Sequence, residues 1–444
     1  MEKYIPHVAI VGGGLCGLAL AIALEKRNVS YTIYERQDSF SEIGAGINIA
    51  PNAIAAFDLI EPGLGSLVMA LGTRNPNPDV WMVNRLGAPT ERYPDAYPIA
   101  CIAAPGVGHT AVGRYELNNL LASKIDQSKA RFKKRLKEIY QSETRVKLIF
   151  EDLSEEWADI VIGCDGIHSA TRKAILGAEH PSAEPRFTGL AGYRAVFAMD
   201  KLIEAIGPDI PTTSCIWSGP GGYVTMYSIE GGKKVNVGFW RDKEEIRETL
   251  ANERWVLKNQ KAALLEDFKH WGPTMQKLMN MVGDDTQLWT SHHHDLQLES
   301  YYKGRICLIG DAAHSMGPHW GQGASQGMED VYVMGEVLAG ICSPGDTSVP
   351  PSESIQAAFS AWQEVRKPQF EWLVHSSHHA FLWWSAFWRP DLTEKDMLDR
   401  HTDAAARLGM IWGANIGRQG EVAKFVMQKS ITTAAEQRMR HHRF

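Results

Sequence analysis

The sequence predicts an α/β fold in which a Rossmann-like dinucleotide-binding domain carries an inserted antiparallel sheet and is followed by C-terminal helices. Three observations predict it: a strand–glycine turn–helix pattern at the N-terminus, short alternating strands in mid-chain, and helical periodicity after a Ser/Pro/Gly-rich linker. The predicted segments are the first part of the binding domain (1–184), the inserted sheet (185–295), a return segment (296–345) and a helical region (346–444).

The N-terminal pattern is a βαβ unit. Residues 7–11 are an apolar, β-branched run, residues 15–27 have helical apolar spacing, and residues 31–34 form a second strand. A helix at 116–125 and strands at 146–150 and 160–162 complete the first segment.

The middle of the chain changes to antiparallel strands. Residues 191–198, 222–229 and 234–240 alternate, and Gly231-Gly232 predicts a two-residue hairpin between the last two. A buried strand then returns at 306–309, with a helix at about 324–339 and the linker at 343–353.

Composition excludes several classes of function. A formal net charge of -6 and a pI near 6.3 argue against nucleic-acid binding. Six cysteines without a CxxC pair indicate reduced thiols in a cytoplasmic protein. We expect no signal peptide, because the first residues enter a strand pattern within a few positions. We expect no membrane association either, because the aromatic run 381–388 is too short to span a bilayer and fits a core or an interface.

A GxGxxG pattern, with Gly12, Gly14 and Gly17, stands between the first strand and helix. Such glycines allow a tight turn and the close approach of backbone N–H groups to a pyrophosphate. Glu35 ends the second strand, where a carboxylate can accept hydrogen bonds from both ribose hydroxyls. The combination predicts a site for FAD or NAD, and Glu35 disfavours an adenosine 2′-phosphate.

Two later segments are rich in Gly and Asp. The turn at residues 163–166 is followed by His168 and Arg172, which could equally be surface residues of a helix. At residues 310–324, Asp311 follows a strand, where it could bond a ribityl hydroxyl, and Gly321 and Gly323 precede a helix. The positive end of that helix would suit a reduced, anionic flavin.

The three motifs together resemble the FAD-dependent aromatic hydroxylases of the para-hydroxybenzoate hydroxylase fold. Residues 42–46, 51–53 and 113–117 are similar to motifs of the salicylate-hydroxylase-like branch, which includes fungal enzymes that dearomatise polyketide phenols. The resemblance spans residues 7–340. It implies a cofactor shell that comprises Glu35, Arg36, the 44–48 segment with Gly46 and Asn48, Arg114, Asp311, and the 321–324 loop with Gly323 and Ala324.

The resemblance implies an activity as well. FAD would react with NADPH or NADH and dioxygen, through a flavin C4a-hydroperoxide, to hydroxylate a phenolic ring, with or without dearomatisation. Decarboxylative hydroxylation of a salicylate, hydroxylation or epoxidation of a non-aromatic substrate, and a flavoprotein dehydrogenase that does not activate oxygen remain alternatives. NADH is not distinguished from NADPH, and a monomer is not distinguished from a homodimer.

Three residues are the catalytic candidates. The resemblance places Arg194 and Tyr227 at the substrate phenolate, and His319 beside the flavin, where it could relay a proton from the phenol. On residue chemistry alone, each has a structural alternative. Arg194 could form a salt bridge on the surface of its strand, Tyr227 could be an amphipathic residue at the rim of the sheet, and His319 could merely pack against its own loop. No metal site is expected at residues 292–294, because neighbouring residues of a strand point to opposite faces.

Overall fold

The computed structural model describes residues 6–40, 46–247, 255–294, 298–342 and 351–441, except for the side chain of residue 378. Residues 44 and 45 of the expected cofactor segment, and most of the linker at 343–353, lie outside these ranges.

Strands dominate the first part of the described chain. Its elements are β1 (Val8–Val11), α1 (Leu15–Lys26), β2 (Tyr31–Tyr34), β3 (Gly46–Asn48), α2 (Pro51–Ile60), α3 (Leu64–Leu71), β4 (Thr73–Arg74), β5 (Val80–Leu86), β6 (Pro98–Ala103), β7 (Thr110–Gly113), α4 (Arg114–Ala122), β8 (Ala130–Arg131), β9 (Leu136–Gln141), β10 (Val146–Phe150), β11 (Glu155–Ala158), β12 (Ile160–Gly163) and α5 (Ala170–Leu176).

The second part ends in long helices. Its elements are β13 (Arg186–Ala198), α6 (Met199–Ile206), β14 (Cys215–Gly219), β15 (Gly222–Ile229), β16 (Lys234–Asp242), β17 (Val256–Leu257), α7 (Lys261–Asp267), α8 (Pro273–Met281), β18 (Gln287–His293), β19 (Tyr302–Lys303), β20 (Ile306–Leu308), α9 (Asp311–His314), α10 (Gly323–Cys342), α11 (Pro351–Ser385), α12 (Glu394–Trp412) and α13 (Ile416–His441).

The nucleotide-binding layer is a sheet with the order β19-β20-β12-β1-β2-β8 in the described residues. Strand β1 pairs in parallel with β2 and β12, and β12 pairs in parallel with β20. All four residues of β1 are buried, because helices cover both faces of such a sheet. The predicted Rossmann-like unit is therefore confirmed, and the return segment supplies its strand β20.

The second large sheet has the order β17-β18-β13-β16-β15-β14-β5-β6. Most of its pairs are antiparallel, as the alternation of the middle segment predicted, but β14 pairs in parallel with β5. Strands β5 and β6 come from residues 80–103, which the sequence analysis did not assign to this sheet. The predicted two-residue hairpin is wrong: Ile229 pairs with Lys234, so the connection has four residues, and Glu230 adopts a positive φ within it.

The C-terminal helices pack against both layers. Helix α11 lies along α10 and α13, and α12 contacts β6. The aromatic run at 381–388 contributes Phe381, Trp384 and Phe387 to a buried cluster with Trp81 and Trp320. The sequence predicts a core or an interface for this run, and the structure places it in the core. Helix α12 lies against β6, the edge strand of the second sheet.

Candidate active site

The N-terminal turn is shaped by backbone contacts that only glycine permits. Gly12 has a φ of +102°, and a Cβ atom there would lie 2.5 Å from the carbonyl oxygen of Cys164. A Cβ atom at Gly17 would overlap the carbonyl oxygen of Gly12. Gly14 is the N-cap of α1. The motif therefore allows α1, the end of β1 and the turn after β12 to pack closely. It also leaves the N-terminus of α1 open to a pyrophosphate.

Glu35 is held rigidly at the end of β2. Its carboxylate accepts hydrogen bonds from the backbone N–H groups of Gly13 (2.6 Å) and Gln37 (2.8 Å), and the residue is buried. A carboxylate has further lone pairs, so these bonds leave acceptors for ribose hydroxyls. The neighbouring Arg36 is exposed.

The segment at 163–172 supports the site from behind. Asp165 accepts hydrogen bonds from Ser169 Oγ (2.5 Å) and from the backbone N–H of Thr171 (3.0 Å), at the start of α5. Arg172 is fully buried and donates to the carbonyl oxygens of Ala312 and Ala313. The surface interpretation of Arg172 is therefore wrong, because its guanidinium anchors the helix that begins at Asp311.

A buried ion network fixes the loop around Asp311. Asp330 accepts from the backbone N–H of Gly310 (3.0 Å) and lies 2.5 Å from His314 Nε2. Arg366 of α11, fully buried, donates to Asp330 (2.8 Å) and Glu329 (2.6 Å). Although burial raises the pKa of Asp330, His314 and Arg366 bring it below the usual range. Helix α11 thus clamps α10 onto the Gly310 turn.

A cavity of about 280 Å³ lies between this loop and the second sheet. Six of the eleven expected cofactor residues line it: Gly46, Asn48, Arg114, Asp311, Gly323 and Ala324. The three expected catalytic residues line it too: Arg194, Tyr227 and His319. The other five cofactor residues lie at the N-terminal turn and the end of β2: Gly12, Gly14, Gly17, Glu35 and Arg36.

The residues of the cofactor wall fit a flavin. Asn48 Oδ1 and Gln322 Nε2 are buried and have no hydrogen-bond partner among the described residues, although both side chains line the cavity. Gln322 is oriented by Asn52, whose amide donates to Gln322 Oε1 (3.0 Å). A ring edge with N–H and carbonyl groups would satisfy both atoms, and α10 directs its positive end to the same place.

The opposite wall is the face of the second sheet, where cross-strand neighbours form three rows. The rows are Tyr227–Asn236–Val196, Thr225–Gly238–Arg194 and Tyr223–Trp240–Gly192. As alternation predicts, Tyr223, Thr225 and Tyr227 share the cavity face. Gly238 leaves room for Thr225 and Trp240, since a Cβ atom there would lie 2.9 Å from Thr225 Oγ1 and 3.0 Å from Trp240 Nε1.

Arg194 brings a positive charge to this wall. Its guanidinium carbon lies 6.0 Å from the ring centre of Trp240 and 5.6 Å from that of Trp289. Desolvation lowers its pKa from the ordinary arginine value, with Tyr227 opposing and Arg114 adding to that effect. A guanidinium remains charged throughout the physiological range.

Tyr227 and His109 form the polar end of the wall. The Tyr227 hydroxyl donates to the carbonyl oxygen of Gly46 (3.0 Å), so it sits where the two walls meet. Burial raises its pKa, and Arg194 and Arg114 oppose the rise. The ring of His109 lies 5.6 Å from that of Tyr227, and burial lowers the pKa of His109 to about 3, so this imidazole is neutral.

Sequence analysis missed several cavity residues. His109 precedes β7, Trp384 belongs to α11, and Leu408 belongs to α12. The aromatic run was a signal that Trp384 is buried, but no signal linked it to the site. Nothing in the pattern of α12 distinguishes Leu408 from any other core leucine.

Two of the three consecutive histidines at 292–294 contact neighbouring segments of the chain. His292 stacks on Trp255 with ring centres 3.6 Å apart, and His294 Nε2 is 3.1 Å from the carbonyl oxygen of Ile167. Among the described residues, no group of three His, Cys, Asp or Glu side chains could hold a metal ion. Within the same residues, no helix is long and apolar enough to cross a bilayer.

Comparison with known proteins agrees with this architecture. The family model described as an FAD binding domain matches residues 6–349. A salicylate hydroxylase of Pseudomonas putida is 32% identical over 375 residues, covering 82% of each chain. A 6-methylsalicylate 1-monooxygenase of Aspergillus terreus is 31% identical over 433 residues, covering 94% of this chain and 91% of its own.

A solved salicylate hydroxylase–substrate complex superposes with a TM-score of 0.81, at 26% identity, covering 94% of this chain and 98% of its own. These matches confirm the expected fold and cofactor. The chain therefore belongs to the FAD-binding-domain family, in its branch of FAD-dependent aromatic hydroxylases, and FAD is its cofactor.

Proposed function

We propose that this enzyme hydroxylates a phenolic ring with NAD(P)H and dioxygen, and that Arg194 and Tyr227 hold the ionised phenol oxygen. Bound FAD supplies the reduction of dioxygen that makes one oxygen atom available to the ring. The observation that carries the proposal is the permanent charge of Arg194 on a wall that faces the cofactor residues. A fixed cation within a few ångströms favours the phenolate, which is the nucleophilic form of the ring.

The rest of the cavity completes this environment. The Tyr227 hydroxyl, which donates to the Gly46 carbonyl oxygen in the structure, would turn its hydrogen to the substrate oxygen as a second donor beside Arg194. The ring centre of Trp240 lies 6.0 Å from the guanidinium carbon. Exclusion of water protects the reduced oxygen species from being lost as peroxide. For the cofactor we propose that Glu35 holds the ribose, that Asp311 holds the ribityl chain, and that Gly323 and Ala324 meet the ring.

The neutral lining favours a phenol with uncharged substituents. Besides Arg194, the charged side chains that line the cavity are Arg114 and Asp311, which we assign to the cofactor. The lining left for the substrate is uncharged at neutral pH: Met82, His109, Ser214, Ile216, Asn236, Trp384 and Leu408. A substrate carboxylate would need a second cation to offset its desolvation. The names of the two relatives favour a second candidate, the decarboxylative hydroxylation of a salicylate.

A substrate panel distinguishes the two candidates. NADH and NADPH oxidation would be measured with resorcinol-type aldehydes, salicylates and simple phenols, and product masses would be checked for one added oxygen. We expect stimulation by the phenols and a gain of one oxygen. Loss of carbon dioxide from a salicylate would support the second candidate instead.

A variant pair tests Arg194 directly. Arg194→Gln should lower the kcat/KM for product formation by about a hundredfold or more while FAD stays bound, because an anchoring charge contributes several kcal/mol to the reacting complex. Arg186→Gln lies on the same strand outside the cavity and should retain activity. Full product formation by Arg194→Gln would disprove the phenolate anchor.

A further inference from the structure

Tyr223 and His319 form a buried pair in the cavity wall, and this pair defines the role of the histidine in the proposed reaction. The Tyr223 oxygen lies 2.7 Å from His319 Nδ1. Tyr223 is 2% exposed and His319 is 5% exposed, yet both line the cavity. The inference below rests on the proposed function, because it concerns how His319 meets the phenol.

The positions of both rings are fixed by aromatic packing. Tyr223 stacks on Trp240 and contacts Phe381, and His319 makes edge contacts with the same two rings. The indole N–H of Trp384 donates to the backbone oxygen of His319 (3.0 Å). The hydrogen bond between phenol and imidazole is therefore a built feature of the wall.

When His319 is neutral, the arrangement of protons that satisfies both groups has the Tyr223 hydroxyl as donor and His319 Nδ1 as acceptor. Burial raises the pKa of the Tyr223 hydroxyl well above its usual value, so the group keeps its hydrogen. Within the described residues, His319 Nδ1 is the acceptor in reach of that hydrogen. A neutral imidazole carries one hydrogen and one lone pair. If Nδ1 carried the hydrogen, the buried Tyr223 hydroxyl would be left without an acceptor, which is unfavourable.

We propose that Tyr223 fixes His319 in the tautomer that carries its hydrogen on Nε2, so that His319 meets the substrate oxygen as a hydrogen-bond donor. A histidine in that state has no lone pair on Nε2 and does not take the phenol proton. The proton is released to solvent when the phenol binds beside Arg194. Tyr223 is thus a positioning residue, and the proton relay expected for His319 is replaced by donation.

The tautomer can be observed directly by nitrogen NMR of the FAD-loaded full chain labelled with ¹⁵N in its histidine rings. The signals of His319 would be assigned by their loss in His319→Gln. We expect a hydrogen-bearing Nε2 and a lone-pair Nδ1 in the wild type, and loss of that preference in Tyr223→Phe. A wild-type protein with the hydrogen on Nδ1, or a pattern unchanged in Tyr223→Phe, would overturn the proposal.

Tyr193→Phe is the matched control. Tyr193 is buried on the other face of the same sheet and donates to Asp267 (2.5 Å), so its replacement also removes one buried hydrogen bond. It should leave the pattern of His319 unchanged. A change as large as that in Tyr223→Phe would show that the tautomer depends on the general integrity of the sheet, against the proposal.

Turnover gives an independent readout. Glutamine keeps an N–H group near the position of Nε2 but cannot act as a base. Leucine can neither donate a hydrogen bond nor act as a base. We expect His319→Gln to form product with a kcat/KM within about tenfold of the wild type, and His319→Leu to lose about a hundredfold or more. Equal, large losses in both variants would identify His319 as the base and overturn the proposal.

The two readouts separate this proposal from the proposed function. If the wild type makes no oxygenated product from any phenol, the proposed function fails, but the NMR pattern still decides the tautomer. If the wild type hydroxylates a phenol but His319 carries its hydrogen on Nδ1, only the role proposed for Tyr223 fails.

Discussion

On the cofactor side of the cavity, the decisive residues are glycines and capping side chains whose places are dictated by the backbone. Gly12 and Gly17 allow contacts that any Cβ atom would prevent, and Asp165 and Asp330 bind backbone N–H groups. On the substrate side, the decisive residues are side chains that project from separate elements onto one surface. The cofactor side therefore requires particular residue types at fixed positions in the sequence. The substrate side requires only a surface of suitable shape and charge, which different residues can provide.

The largest effect is expected from an added methyl group in the cofactor side. Gly17→Ala places a Cβ atom on the carbonyl oxygen of Gly12, so the turn must move and the pyrophosphate site is lost. We expect the purified protein to contain no FAD, measured by its absorption spectrum. Gly409→Ala in α12 is the control, because a Cβ atom there meets nothing within 4 Å, and it should retain FAD.

The next largest effect concerns the ion network that fixes the loop around Asp311. Arg366→Met leaves Glu329 and Asp330 as buried carboxylates without their cation. The free energy of unfolding should fall by about 3–5 kcal/mol, measured by urea titration at a fixed excess of FAD. Arg418→Met removes an exposed pair with Glu421 and should change this free energy little. An unchanged free energy of unfolding in Arg366→Met would show that the ion pairs of Arg366 are not needed for stability.

A smaller effect is expected on the substrate side. Leu408→Ala enlarges the cavity without touching the cofactor residues, so the ratio of kcat/KM values for an alkyl-substituted phenol and its unsubstituted parent should rise about tenfold. FAD content should stay unchanged. Leu398→Ala changes an exposed leucine of the same helix and should leave the ratio unaltered. An unaltered ratio in Leu408→Ala would place the substrate elsewhere.

The smallest effect is a pH dependence caused by His109. Its pKa is about 3 in the folded protein and near 6.5 in the unfolded chain, so between these values only the unfolded chain binds the proton. Its stabilising contribution is present above pH 6.5 and is lost as the pH falls towards 3. His109→Gln should reduce the slope of unfolding free energy against pH by about 1.4 kcal/mol per pH unit between pH 6 and 4.5.

The control for this slope is His270→Gln, which changes an exposed histidine. It should keep the wild-type slope in urea titrations at the same pH values. If His109→Gln also keeps that slope, the imidazole is not held neutral by the fold.

The same contrast explains what the sequence could predict. The βαβ unit and the FAD-binding family were predictable because Gly12, Gly17, Glu35 and Asp311 stand at fixed distances from their strands. The cavity positions of Arg194 and Tyr227 followed from a family resemblance together with strand alternation. Their catalytic roles remain predictions, as do the domain boundaries.

Other features depend on tertiary contacts that leave no local pattern. Strands β5 and β6 join the second sheet through a parallel pairing with β14, which residues 80–103 do not indicate by themselves. Leu408 reaches the cavity only because α12 packs on β6. The place of His109 beside Tyr227 likewise depends on the pairing of β7 with β3 and the approach of β15.

The central claim is that the charge of Arg194 ionises the bound phenol. The most direct measurement is a pH titration, by ultraviolet difference spectroscopy, of a phenol bound to the FAD-loaded wild type and to Arg194→Gln. The account predicts that binding to the wild type lowers the phenol pKa by roughly 1–3 units, and that the variant removes most of this shift. A phenol that binds the wild type with its solution pKa, or an equal shift in both proteins, would contradict it.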